Sequence, residues 1–184
     1  MLLGLATVAI LIAGCGGGAT SQPTRTRFER CLSDQLSVRQ GRLGAAAGSS
    51  GTSLIFKNVS RSPCSLEGYP SLQTFNAAGK PVPTFARDGA PFTTIPPGLR
   101  VRIVKLAPGA TASVYVGLPD SFGAGSATCP ETARLRIIPP GDRAPIMIPW
   151  RLDPPGATGR PGRERLQCGQ ITISPVATPI KGWA

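Results

Sequence analysis

The segment Arg100-Val-Arg-Ile-Val-Lys-Leu-Ala-Pro-Gly-Ala-Thr-Ala-Ser-Val-Tyr-Val116 decides the fold class. Both halves alternate apolar and polar residues with period two, the repeat of a half-buried strand and not of a helix. In the first half Val101 and Ile103 are expected to face inward, with Arg100 and Arg102 in water. In the second half Ala112, Val114 and Val116 share one face. Ala107-Pro108-Gly109 between them has turn composition, so the two strands are expected to form a hairpin.

The same alternation recurs along the chain. Gly51 to Val59 puts Leu54 and Phe56 on one face, Ala133 to Ile138 sets Leu135 and Ile137 against Arg134 and Arg136, and Ile171 to Ser174 closes the series. Residues 36–40, 72–76 and 146–150 are weaker candidates. Past the leader, no window of ten or more residues carries a helical apolar stripe. Short strands separated by Gly and Pro predict an all-β fold, a sandwich of about 7–9 strands. Two connections, residues 77–99 and 153–167, are long and proline-bearing, and loops of that length are usually functional or mobile.

Composition limits the core. The 184 residues suit one domain, and Gly 23 with Pro 20 is a share close to that of disordered chains. Histidine is absent, which removes Ser-His-Asp and Cys-His catalysis and every histidine metal site.

Leu2 to Ala13 is apolar and uncharged. A membrane-spanning helix needs about 20 residues, so this stretch has instead the length of a secretory hydrophobic region. It ends in Leu11-Ile-Ala-Gly-Cys15, which resembles the bacterial lipoprotein signal. That resemblance implies acylation of the Cys15 thiol and cleavage before it. The sequence departs from such signals in having no Lys or Arg before Arg25. Gly16-Gly-Gly18 and a polar stretch bearing Arg25, Arg27 and Arg30 read as a flexible tether. The expected organisation is a signal peptide over 1–14, lipidated cysteine and tether over 15–30, a sandwich domain over 31–178 and a tail over 179–184. Two or more acyl chains hold a protein firmly, so the expected address is the outer face of the cytoplasmic membrane, anchored but not spanning.

With Cys15 assigned to lipid, Cys31, Cys64, Cys129 and Cys168 remain. An even number in an exported chain reads as two disulfides. Three pairings are formally available. Cys31–Cys64 and Cys129–Cys168 are favoured because each links the ends of one half-domain. Either would stabilise by up to roughly 3–4 kcal/mol in the loop-entropy model. No Cys-x-x-Cys occurs, so neither a redox motif nor zinc-type spacing is present.

From Cys31 to about Val176 the chain resembles an actinobacterial family of exported domains known as domain of unknown function 4232. The resemblance rests on Cys31-Leu, the segment Gly51 to Val59, Pro63-Cys64-Ser-Leu-Glu-Gly68-Tyr69-Pro70, Gly79-Lys-Pro-Val, Leu106-Ala-Pro-Gly109-Ala-Thr-Ala112, Cys129, Pro139-Pro-Gly141 and Cys168-Gly-Gln-Ile-Thr-Ile-Ser-Pro175. It implies an immunoglobulin-like sandwich, an export or lipoprotein signal and paired cysteines. It implies no reaction.

The formal charge is +11, and 16 of the 20 basic residues are arginine. Nucleic acid is disfavoured as a partner, because the cations are scattered and no recognition motif is present. Anionic lipid headgroups or wall polymers fit better; an arginine-rich composition spread as a solvated face fits equally well. The nine carboxylates stand mostly in turns, and no Ser-x-x-Lys occurs, so the chain is read as non-enzymatic, with neither cofactor nor metal. Phe85, Arg87 and Phe92 in the 77–99 connection form a candidate binding loop of the type enriched at hot spots. The plainer reading, preferred here, folds both phenylalanines back to cap the sandwich. Asn58-Val-Ser60 matches a glycosylation acceptor by accident. The expected function is a lipid-anchored envelope module that binds a protein or polymer. The alternatives are a carboxylate-based enzyme acting on wall glycans and a purely structural envelope component.

Overall fold

A computed structural model describes residues 28–46, 49–83, 85–89, 98–119, 132–150 and 170–181. The architecture is all-β, as the alternation predicts. The strands are β1 (Leu36–Ala46), β2 (Ser49–Asn58), β3 (Cys64–Leu66), β4 (Ser71–Phe75), β5 (Pro81–Val82), β6 (Phe85–Asp88), β7 (Val104–Leu106), β8 (Thr111–Pro119), β9 (Arg134–Ile138), β10 (Ile146–Pro149) and β11 (Gln170–Ile173). A 3₁₀ turn, Ser33–Gln35, leads into β1. One sheet runs β1-β2-β8-β11-β6, a second β10-β9-β4-β5, and β3 pairs with β7 in a third.

The core lies between these sheets. Leu54 and Phe56 of β2, with Ala112, Val114 and Val116 of β8, pack in one core with Leu72, Leu135, Ile137 and Ile148 of the second sheet and Trp150 just after β10. Leu66, Val104 and Leu106 fill the β3/β7 end. Each large apolar side chain buried there contributes about 1.5–3 kcal/mol. The inward faces read from Leu54/Phe56, Ala112/Val114/Val116 and Leu135/Ile137 therefore hold, and Arg134 stays exposed.

The expected hairpin does not form. The turn itself does: the Ala110 amide donates to the Ala107 carbonyl at 2.9 Å, and Gly109 takes φ 79°. That is the third position of a type II turn, where an L side chain would be strained. The Gly109 amide then donates to the Asn58 carbonyl (2.8 Å), and the Asn58 amide to the Ala110 carbonyl (3.0 Å). These bonds deliver the departing chain to β2, along which β8 pairs from Lys57↔Thr111 to Ser49↔Pro119. The arriving strand pairs instead with β3, so the turn joins two sheets.

The inward phase of that arriving strand is also corrected. Val104 and Leu106 are buried, whereas Val101 and Ile103 are 47% and 60% exposed. A shift of one residue moves every side chain of a strand to the other face. Lys105, flanked by Val104 and Leu106, sets the phase by staying in water. Residues 99–103 precede the ladder outside any strand pairing, and 100–103 are all exposed.

Both faces of the sheet are covered at its centre. Ile55 and Tyr115 alternate with the core-facing Phe56 and Val114, yet are also buried. Beyond β11 the chain stays with β8, exchanging two hydrogen bonds between Ser113 and Ala177. The Ile180 amide then donates to the Tyr115 hydroxyl at 2.8 Å. Burial pushes the Tyr115 phenol above its ordinary value, and the Ile180 amide opposes this only in part. A raised folded-state value means that stability is whole below about pH 10 and falls as pH rises through the folded-state value, because the unfolded chain ionises first. Tyr115→Phe is expected to cost about 1 kcal/mol at neutral pH and to flatten that alkaline decline. Thermal melts across the alkaline range measure both effects.

Candidate functional site

The N-terminal corner is built on Ser65, the middle residue of β3. Its amide donates to the Glu29 carbonyl at 2.8 Å, and its carbonyl accepts from the Cys31 amide at 2.9 Å. Arg30 thereby bridges Ser65 in parallel. On the other side Cys64 and Leu66 pair with Leu106 and Val104, so β3 lies between two extended segments. Alternation turns Cys31 and Cys64 into the core, where they form a disulfide with Cα atoms 4.9 Å apart. The pairing favoured for these two cysteines is the one observed.

Arg30, Ser65 and Lys105 lie in register across the outer side of this corner. The Lys105 ammonium sits 4.7 Å from the centroid of the Phe28 ring, within cation–π range. The Arg30 side chain crosses Gly141, where a Cβ would come within 2.8 Å of its Nη1. Gly141 also has φ 79°, so only glycine satisfies both the approach and the backbone.

Asp142 follows directly. Its carboxylate accepts from the Arg143 amide (2.6 Å), the Ser33 amide (2.7 Å) and the Ala144 amide (3.2 Å). Those amides, Arg143 foremost, hold the carboxyl below its ordinary value. A carboxylate committed to three backbone donors acts as a clamp between the 3₁₀ turn and the Pro139–Gly141 turn.

The candidate loop is reorganised. Residues 77–99 are not one connection: 81–82 form β5 and 85–88 form β6. β6 runs parallel to β11 at the end of the five-stranded sheet, with Phe85 opposite Gln170 and Arg87 opposite Thr172. Ala86, Arg87 and Asp88 are exposed. A two-residue and a four-residue strand flanked by prolines carry almost no period-two signal, and the partner of β6 lies more than 80 residues away. Phe92, Cys15, Cys129 and Cys168 lie outside the described residues.

Asn58 is structural, consistent with an accidental acceptor motif. Its side-chain amide donates to the Ser62 and Leu106 carbonyls at 2.8 and 3.1 Å, and its Oδ1 accepts from the Ser60 amide and hydroxyl at 2.9 and 2.7 Å. The residue is buried, with no face left for a glycan. Among the described residues no three of Cys, Asp and Glu gather as a metal site would require. Sequence reading missed the Phe28–Lys105 contact and the Asp142 clamp. The Gly-Asp pair at 141–142 signals a turn but not the distant Ser33 amide.

Fold and corner together define a disulfide-bonded β-sandwich domain whose N-terminal segment is hydrogen-bonded into a sheet. Domain of unknown function DUF4232 matches residues 31–177, and the chain belongs to that family. No curated protein and no solved structure matches the chain.

Proposed function

We propose that the protein is a non-enzymatic interaction module of the cell envelope, held at the outer face of the cytoplasmic membrane by a lipid on Cys15. The observation carrying this reading is the fixed N-terminal corner. A disulfide and two backbone hydrogen bonds to Ser65 secure residues 29–31, so a tether attached upstream holds the whole sandwich. The β6 edge, with exposed Arg87 and Asp88, is the surface assigned to an envelope protein partner. Edge strands offer backbone donors and acceptors to an added strand, and Arg is enriched at hot spots.

Two experiments test the reading. Cys15→Ala is expected to move the protein from the membrane fraction into the soluble fraction; unchanged membrane association overturns the anchor. In-cell cross-linking of the tagged protein is expected to yield a dominant partner that is lost in the Phe85→Ala/Arg87→Ala/Phe92→Ala variant. A partner indifferent to those substitutions removes the β6 edge from the reading.

A further inference from the structure

The approach to β7 carries two of the five large apolar side chains exposed among the described residues. Val101 and Ile103 stand out in water at 47% and 60% exposure, interleaved with exposed Arg100, Arg102 and Lys105. Nothing in the fold requires this: Val104 and Leu106 already serve the core. Lys105 lies over Phe28, and exposed Arg30 is in register with it across β3. Glu29, Glu67 and the backbone-bonded Asp142 stand against Arg30, Arg100, Arg102, Lys105 and Arg143, so the corner keeps a positive excess.

We infer that this corner rests on an anionic bilayer, with Val101 and Ile103 entering the interfacial layer and Arg100, Arg102 and Lys105 meeting lipid phosphates. Aliphatic side chains between cations are the composition of an interfacial contact. The occupant follows from charge and from position. Twelve residues separate Cys15 from Phe28; on the tether reading of the sequence, a stretch of that length spans about 20 Å root-mean-square. On the anchor reading proposed above, which this inference presupposes, a lipid on Cys15 keeps the corner formed by Phe28 and Lys105 within that reach of the membrane. Each cation near such a surface tightens the contact about fivefold. The patch thus fixes an orientation: the N-terminal corner lies down on the lipid, a geometry that the tether alone does not impose.

The test uses lipidated protein purified from membranes and reconstituted into vesicles of phosphatidylcholine or of phosphatidylglycerol. Vesicle flotation reports anchoring, and amide hydrogen exchange of peptides covering 99–103 reports the corner. The expected result is flotation with both lipids, and exchange slowed at least about fivefold on phosphatidylglycerol relative to phosphatidylcholine. The slowing is expected to vanish in Arg100→Glu/Arg102→Glu/Lys105→Glu, while exchange in β2 and β8 stays unchanged and shows that the variant is folded. Flotation with both lipids but equal exchange overturns the inference and leaves the anchor standing. Failure to float with phosphatidylcholine overturns the anchor, and the inference that presupposes it falls as well. Equal slowing by soluble long-chain polyphosphate without vesicles overturns the bilayer as occupant and makes the corner a polyanion site.

Discussion

Cys64→Ser is expected to lower stability by roughly 3–4 kcal/mol and the melting temperature by about 10 °C. The disulfide closes a loop between positions 33 apart in sequence, and opening it returns that loop's conformational freedom to the unfolded chain. Both cysteines are buried, so the variant also leaves the Cys31 thiol facing a hydroxyl in the core. The residues fixed by the bridge are those that bond to Ser65, so the corner should loosen before the rest. Calorimetry gives the shift, and alkylation with mass spectrometry gives the thiol. A Cys31 that stays blocked in Cys64→Ser would mean a different partner and would refute the pairing. A folded variant with unchanged melting would refute the stabilising role.

Asn58→Ala is expected to cost roughly 2–4 kcal/mol, the result of leaving several buried or half-buried polar groups without their partner. The side chain makes four hydrogen bonds, to Ser60 by two routes, to Ser62 and to Leu106. It ends β2 and reaches β7, so it joins the five-stranded sheet to the small one, while its backbone holds the Ala107–Ala110 turn. Asn58→Asp should be no better than alanine. It keeps the acceptor used by Ser60 but turns a carboxylate oxygen toward the Ser62 and Leu106 carbonyls, where two donors are needed. Urea unfolding with an unchanged slope measures the loss. A cost below that of an ordinary surface substitution, within about 0.5 kcal/mol, would show that solvent replaces these bonds and that Asn58 is not the joint between sheets.

These two residues also show how differently structure is written into a sequence. Four cysteines after Cys15 limit the bridges to a short set, and placement at the ends of a half-domain singles out Cys31 and Cys64. Asn58, by contrast, looks like a glycosylation acceptor, because its motif is local whereas its partner Leu106 is 48 residues away. The candidate binding residues fared in the same way. Phe85 and Arg87 stand out by residue type, yet their place in a parallel edge strand depends on β11, at the far end of the chain.

Period-two alternation is a property of adjacent residues, so the all-β class and the inward faces of β2, β8 and β9 could be read directly from the sequence. So could the Ala107–Gly109 turn, since proline and glycine impose it locally. Partner choice is not local. Whether the strand before that turn joins β8 or β3 depends on where Asn58 and Ser65 offer their backbone groups, and those positions come from the rest of the chain. The tertiary structure alone decided that both faces of Tyr115's strand would be covered, and that Val101 and Ile103 would be left in water. A pattern of alternating side chains specifies that a segment has two faces; only the packed molecule specifies what lies against each.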